Sequence, residues 1–239
     1  MYWAMIFNQF FDDVSFTYTY LLSSGKGREA LLIDPVIEKT GEYISYLKNL
    51  ELKLVKVIDT HIHADHVSGL KELKGQTNCS TIMGEKSASE IVDIHIKDDE
   101  KIKIENIVIT SMYTPGHTDC SYSFFMNDRV FTGDTLLING TGRTDFQNGS
   151  CSDQYYSLFD RILKLPEKTF VYPGHDYRGN KVSTIGNEKK NNPRLQVKSL
   201  NEYTEIMNNL NLSEPKMMDV AVPANIKGLN LKEFSKSIK

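Results

Sequence analysis

The 239-residue chain has only three cysteines, Cys79, Cys120 and Cys151, an odd and widely spaced set that makes no disulfide framework and suits a reducing compartment. They are expected to be buried, inert thiols. An excess of positive charge is missing too: 28 Lys and Arg against 31 Asp and Glu give a net charge of -3, which provides no electrostatic footprint for nucleic acid. No apolar run approaches bilayer-spanning length, so a membrane partner is equally disfavoured. The opening residues Met1-Tyr2-Trp3-Ala4-Met5 show neither a basic region followed by an apolar one nor an Arg-rich presequence, and a cytoplasmic location is expected. No repeat, low-complexity tract or linker divides the chain. With 40% hydrophobic residues it can fill a sizeable core, and one domain over residues 1–239 is expected.

What is present is rich in strands. Apolar or alternating runs predict strands at Met5–Phe10, Tyr18–Ser23, Ala30–Asp34, Leu54–Asp59, Val108–Tyr113, Tyr122–Met126, Arg129–Thr132 and Thr169–Tyr172. Apolar residues three or four apart predict helices over Thr40–Leu50, His66–Leu73, Ser152–Leu163 and Leu200–Leu210. This mixture argues for an α/β chain with two sheets covered by helices.

Three imidazoles and a carboxylate crowd into His61-Ile62-His63-Ala64-Asp65-His66, directly after the run Leu54–Ile58. Such donors suit zinc, iron or nickel, and a purely structural role would hardly call for all four. Three other strands repeat the design. Val108–Tyr113 leads to Gly116-His117, Val130-Phe131-Thr132 to Gly133-Asp134, and Phe170-Val171-Tyr172 to Gly174-His175. Loops at the ends of rigid strands can focus distant residues on one point, and the glycines fit turns where backbone approaches a metal. A lone His117 or His175 would read as a hydrogen-bonded structural histidine, and a lone Asp134 as a turn residue. The shared layout raises all three. His95 lacks it and is expected to be structural. By spacing, His61, His63 and His117 would hold one metal, Asp65, His66 and His175 a second, with Asp134 bridging.

These residues resemble the metallo-β-lactamase superfamily, whose signature is matched by His61-x-His63-x-Asp65-His66, His117, Asp134 and His175. The resemblance implies an αββα sandwich of two mixed β-sheets flanked by helices, with the segment from about 180 packed on it. β-Lactamases commonly complete their second site with a cysteine, and none of the three cysteines here occupies a strand-end position, so lactam hydrolysis is not expected. A closer resemblance covers nearly the whole chain. Leu32-Ile33-Asp34-Pro35-Val36, Gly142-Arg143-Thr144-Asp145-Phe146-Gln147, Tyr172-Pro173-Gly174-His175-Asp176-Tyr177, Asn192-Pro193-Arg194-Leu195 and Val222-Pro223-Ala224-Asn225 look like persulfide dioxygenases of the ethylmalonic encephalopathy protein type.

That resemblance implies one Fe(II) per chain held by His61, His117 and Asp134, with His63, Asp65, His66 and His175 supporting from outside. It further implies a low-molecular-weight persulfide substrate, glutathione persulfide foremost, oxidised with O2 to sulfite. Arg143, Tyr177 and Arg178 are the candidates for binding that substrate, because an arginine fork suits its carboxylates; for Arg143 a salt bridge with Asp145 is the competing role. The charged tract Glu188-Lys189-Lys190 reads as a helix surface. A homodimer is the default assembly. Related chains carry a rhodanese domain after this one, and because Lys239 ends the sequence, a rhodanese partner is expected to be a separate protein. Two rival functions share the donors: a dinuclear hydroxyacylglutathione hydrolase resembling glyoxalase II, and a non-enzymatic metal or thiol sensor.

Overall fold

The computed structural model describes residues 5–213 and 217–237. In chain order the strands are β1 (Ile6–Asp12), β2 (Thr17–Ser23), β3 (Glu29–Ile33), β4 (Lys53–Ile58), β5 (Ser80–Gly84), β6 (Ile94–Ile96), β7 (Lys101–Ile104), β8 (Ile107–Tyr113), β9 (Tyr122–Met126), β10 (Arg129–Gly133), β11 (Phe170–Pro173) and β12 (Ser183–Thr184). The α-helices are α1 (Thr40–Asn49), α2 (Leu70–Thr77), α3 (Cys151–Tyr156), α4 (Ile185–Asn191), α5 (Leu200–Asn208), α6 (Met218–Lys227) and α7 (Leu231–Ser237). The chain divides into two compact units, the first made of residues 5–96, Ile102–Val108 and 217–237, the second of Lys97–Lys101 and Ile109–Ser213.

The first unit carries a mixed sheet in the order β1-β2-β3-β4-β5-β6. β1, β2 and β3 form antiparallel pairs, whereas β3 to β6 run parallel. Parallel neighbours need crossover connections, and α1 and α2 supply the first two. β2 and β3 are buried almost throughout; in β3 this shows as the apolar run Ala30–Ile33, whereas β2 buries the hydroxyl residues Thr17, Thr19 and Ser23 among its apolar ones. α1 turns Tyr43 and Leu47, one helical turn apart, into the core. Farther along, α6 and α7 contribute Ala221, Ala224 and Phe234 to a cluster with Ile37 and Val67.

The second sheet runs in the order β12-β11-β10-β9-β8-β7 and is also mixed, with β10 and β11 parallel. Val130, Val171, Leu158, Ile162, Ile185 and Tyr203 form the core of the second unit. Side-chain oxygens of Ser150, Thr184 and Ser199 accept N–H groups at the starts of α3, α4 and α5.

All eight expected strands are present within two residues at each end. The short β5, β7 and β12 were not legible in the sequence, and neither were α6 and α7; of α4 only the charged tract Glu188-Lys189-Lys190 was read as helical. Two helices differ from expectation. The one expected from His66 begins only at Leu70, because residues 66 to 68 are held elsewhere: the carbonyl of His66 and the N–H of Ser68 both bond to the Asn225 side chain, and Ser68 bridges to Val36. The one expected over Ser152–Leu163 is α-helical only to Tyr156 and continues as a π-turn over Ser157–Arg161, then a 3-10 turn. The segment after 180 is not one block: α4 and α5 belong to the second unit, α6 and α7 to the first.

Candidate metal centre

In the first unit the organising residue is Asp34, at the end of β3. It is 1% exposed and adopts φ +52°, a left-handed conformation that is uncommon outside glycine and concentrates at functional sites. Its carboxylate accepts the Thr60 N–H at 2.7 Å and the Thr60 hydroxyl at 2.9 Å. With that hydroxyl proton committed to Asp34, Thr60 Oγ1 accepts Nδ1–H of His61 at 2.9 Å. His61 is thereby fixed in the tautomer that leaves Nε2 as the unprotonated donor a metal requires.

The rest of the loop is held as firmly. His63 Nε2 donates to Asp34 at 3.2 Å, and His66 Nδ1 donates to Asp65 at 2.9 Å, while the Thr17 hydroxyl also donates to Asp65. The ligand atoms of His63, Asp65 and His66 lie within 4.8 Å of one another, as do those of Asp34, Asp59 and His63. Burial alone would lower the His63 pKa, but Asp34, aided by Asp59 and Asp65, outweighs it and raises the value to about 9. Burial pushes the Asp59 carboxyl up to about 7. From α6, Asn225 staples the whole loop, donating to the carbonyls of His63 and His66 and accepting from the N–H of Ser68.

In the second unit the strand-end layout delivers His117, Asp134 and His175 together. His175 Nδ1 donates to Asp134 at 2.6 Å, and His117 Nε2 lies 3.6 Å from the other Asp134 oxygen. His117 Nδ1 is 2.7 Å from the carbonyl oxygen of Arg143, which can only accept. His117 therefore also keeps Nε2 for a metal. Gly116 makes the turn before it, at φ +131°, and a Cβ there would collide with the backbone of Gln154 in α3. Only glycine fits that approach.

The substrate candidates are placed differently from one another. The Arg143 fork pairs with both oxygens of Asp145 at 2.6 and 2.7 Å, its remaining nitrogen donates to the Ser213 carbonyl, and the guanidinium covers the Phe146 ring at 4.3 Å. Its side chain is thus engaged, while its carbonyl serves His117. Tyr177 is 64% exposed with its ring parallel to that of His175 at 6.2 Å. Arg178 is exposed as well, in a turn whose N–H groups at 178 and 180 bond to Asp176. His95 lies exposed on β6, apart from these groups in sequence and without a ligand-type neighbour in its strand.

The donor set of imidazoles and carboxylates, with His61 and His117 in the metal-binding tautomer, fits a divalent transition metal such as iron. A family model for the metallo-β-lactamase superfamily matches residues 12–175. The human mitochondrial persulfide dioxygenase ETHE1 is 41% identical over 226 residues, covering 93% of this chain and 88% of its own. The chain belongs to the metallo-β-lactamase superfamily, in its persulfide dioxygenase branch. A solved structure of ETHE1 from Myxococcus xanthus is 45% identical, with a TM-score of 0.90 over 92% of this chain and 98% of that one. A probable hydroxyacylglutathione hydrolase of Schizosaccharomyces pombe is more distant, at 31% identity over 84% of this chain and 90% of its own. The fold is accordingly that of the superfamily, two mixed sheets with helices, and the site is a His/Asp metal-binding site of its type.

Sequence reasoning overlooked Asp34, Thr60 and Asn225 as parts of this site. Asp34 followed a strand in the same layout as the ligands, which was a usable signal. Asn225 belonged to the Val222-Pro223-Ala224-Asn225 segment of the resemblance, but nothing in the sequence placed it at the site, since its partners are about 160 residues away.

Proposed function

We propose that the protein is an iron(II)-dependent persulfide dioxygenase that converts glutathione persulfide, O2 and water to glutathione and sulfite. The relationship to persulfide dioxygenases over nearly the full chain carries this reading. In the proposal His61, His117 and Asp134 hold one iron per chain, and the two units act as one functional domain. Held by two imidazoles and one carboxylate, the iron would supply electrophilic activation of an anionic sulfur and of dioxygen.

The reaction balances: one persulfide, one O2 and one water give one thiol and one sulfurous acid, the outer sulfur being oxidised while both oxygen atoms enter product. The chain's residues would do the remaining work. Asp34 through Thr60, and the Arg143 carbonyl, set the two imidazole ligands. His175 on Asp134, and His66 on Asp65, can hold and pass protons when water releases sulfite. Tyr177 and Arg178 are exposed and would meet the substrate's peptide and carboxylates. Arg143, already paired with Asp145, would act through its loop.

The proposal also assigns a cytoplasmic location, supported by three cysteines that form no disulfide, and the described residues contain no helix long and apolar enough to cross a membrane. The relatives from mouse, human and cattle are named as mitochondrial. A homodimer and a separate rhodanese-type sulfur donor complete it.

A dinuclear hydroxyacylglutathione hydrolase is the second reading, favoured by the close grouping of His63, Asp65 and His66. Metal analysis combined with an oxygen electrode separates the two. One iron per chain and oxygen uptake with glutathione persulfide are expected; two metals and thioester hydrolysis without oxygen uptake would overturn the dioxygenase. Tight metal binding with neither turnover would leave a sensor.

A further inference from the structure

Glu188 was expected on a helix surface, yet its side chain is fully buried, at 0% exposure, in α4. Taking a carboxylate out of water is costly unless donors replace the water. Four donors do so: the backbone N–H of Asn139 at 2.8 Å and the Asn192 amide at 2.9 Å on one oxygen, the Ser183 hydroxyl and the Asn187 amide on the other. None of them is a cation. An ion pair is therefore not what the burial serves.

What the carboxylate holds is the backbone of loop 137–143. Asn139 is bound directly, and Asn192, oriented by Glu188, donates to the Gly140 carbonyl at 2.9 Å. The same loop is held by Arg194 at the Thr141 carbonyl and by Gln154 at the Gly142 carbonyl. Its far end touches the metal ligands. Gly142 N–H donates to the Asp134 carbonyl at 2.7 Å, and a Cβ on Gly142 would collide with that carbonyl and fall 2.8 Å from His117 Nδ1. The next residue, Arg143, provides the carbonyl that takes the His117 Nδ1 proton.

We propose that Glu188 is a positioning residue for the metal site: its buried carboxylate, with Asn192, fixes the loop that sets the tautomer and orientation of His117 against Asp134. This rests on the metal-site reading but not on which reaction the metal serves. It also gives the Asn192-Pro193-Arg194-Leu195 segment a role, since the 3-10 turn Pro193–Leu195 places Asn192 and Arg194 on the same loop.

Glu188→Gln is the sharpest test, because glutamine keeps the shape but offers one acceptor oxygen where the carboxylate offers two, so its N–H2 group must face either the donors Asn139 and Asn192 or the Asn187 amide and the Ser183 hydroxyl, the one partner among the four that can also accept. Cobalt(II) titration of the full chain, followed by its visible absorption, measures affinity and ligand geometry without turnover. Glu188→Gln is expected to weaken cobalt binding by about 10- to 100-fold, the range for partners that orient a ligand, and to shift the absorption bands. Asn192→Ala should do the same and decides the matter if Glu188→Gln does not fold. Leu163→Ala, which removes core volume from the same unit, should lower the melting temperature with cobalt affinity unchanged. Wild-type affinity and spectrum in both Glu188→Gln and Asn192→Ala would overturn the role of Glu188. Failure of the wild type to bind any divalent metal would overturn the metal reading beneath it.

Discussion

The side-chain amide of Asn225 donates to the carbonyl oxygen of His63 at 2.9 Å, although 162 residues separate the two in the chain. A C-terminal helix thus shapes the loop that carries four of the seven metal-type donors. Removing that contact leaves polar backbone groups buried without partners.

Asn225→Ala should destabilise the protein by about 1–3 kcal/mol, the usual cost of unpaired buried polar groups, and lower its metal content. Asn225→Asp retains an acceptor for the Ser68 N–H but places carboxylate oxygens against the carbonyls of His63 and His66, so it should lose metal as well. Urea unfolding and metal analysis on both variants check this. Wild-type metal content in both would show that the loop holds its own shape.

The single-iron reading separates the donors into two classes. His61→Ala, His117→Ala and Asp134→Ala should each abolish iron retention and oxygen uptake. His63→Ala should keep one iron per chain with activity reduced about 10- to 100-fold. Loss of one metal out of two in His63→Ala would instead support the hydrolase.

Because ligands that bind only the folded state stabilise it, chelation should lower the melting temperature and added iron(II) should restore it in proportion to the logarithm of free metal. Differential scanning fluorimetry under nitrogen provides the measurement. A melting temperature indifferent to both treatments would count against a metal bound in the native fold.

Tyr177→Ala and Arg178→Ala should raise KM for glutathione persulfide with kcat nearly retained, since both are exposed close to His175 in the chain. Arg143→Ala should mainly lower kcat, because its fork is engaged by Asp145 and its loop braces His117. A large KM effect confined to Arg143→Ala would return the carboxylate-binding role to it.

The Arg143 fork holds the Asp145 carboxyl below the usual carboxylate range. A depressed folded value means that this stabilisation is complete above the unfolded pKa near 4 and is lost as pH falls through the lower folded value. Asp145→Asn should therefore cost stability at about pH 6 and nothing once both states are protonated. Because Asp145 is 61% exposed, solvent screening limits the effect to about 0.5 kcal/mol or less.

The sequence by itself determined the strand skeleton, the ligand types and their placement at strand ends, because burial demands apolar runs of the right period and metal chemistry demands imidazole and carboxylate. His61, His63, Asp65 and His66 were legible because they are neighbours, and His117, Asp134 and His175 because each lies just beyond the end of a strand. Tertiary structure alone decided what orients them. Asp34 acting through Thr60, Asn225 reaching His63 and His66, and Glu188 bracing the loop to Arg143 are contacts between residues far apart in sequence. No local pattern encodes such pairs, since a buried hydrogen bond depends on where two backbones come to lie. For the same reason Glu188 read as surface charge: its neighbours Lys189 and Lys190 are exposed, and only the packing of α4 turned the carboxylate inward.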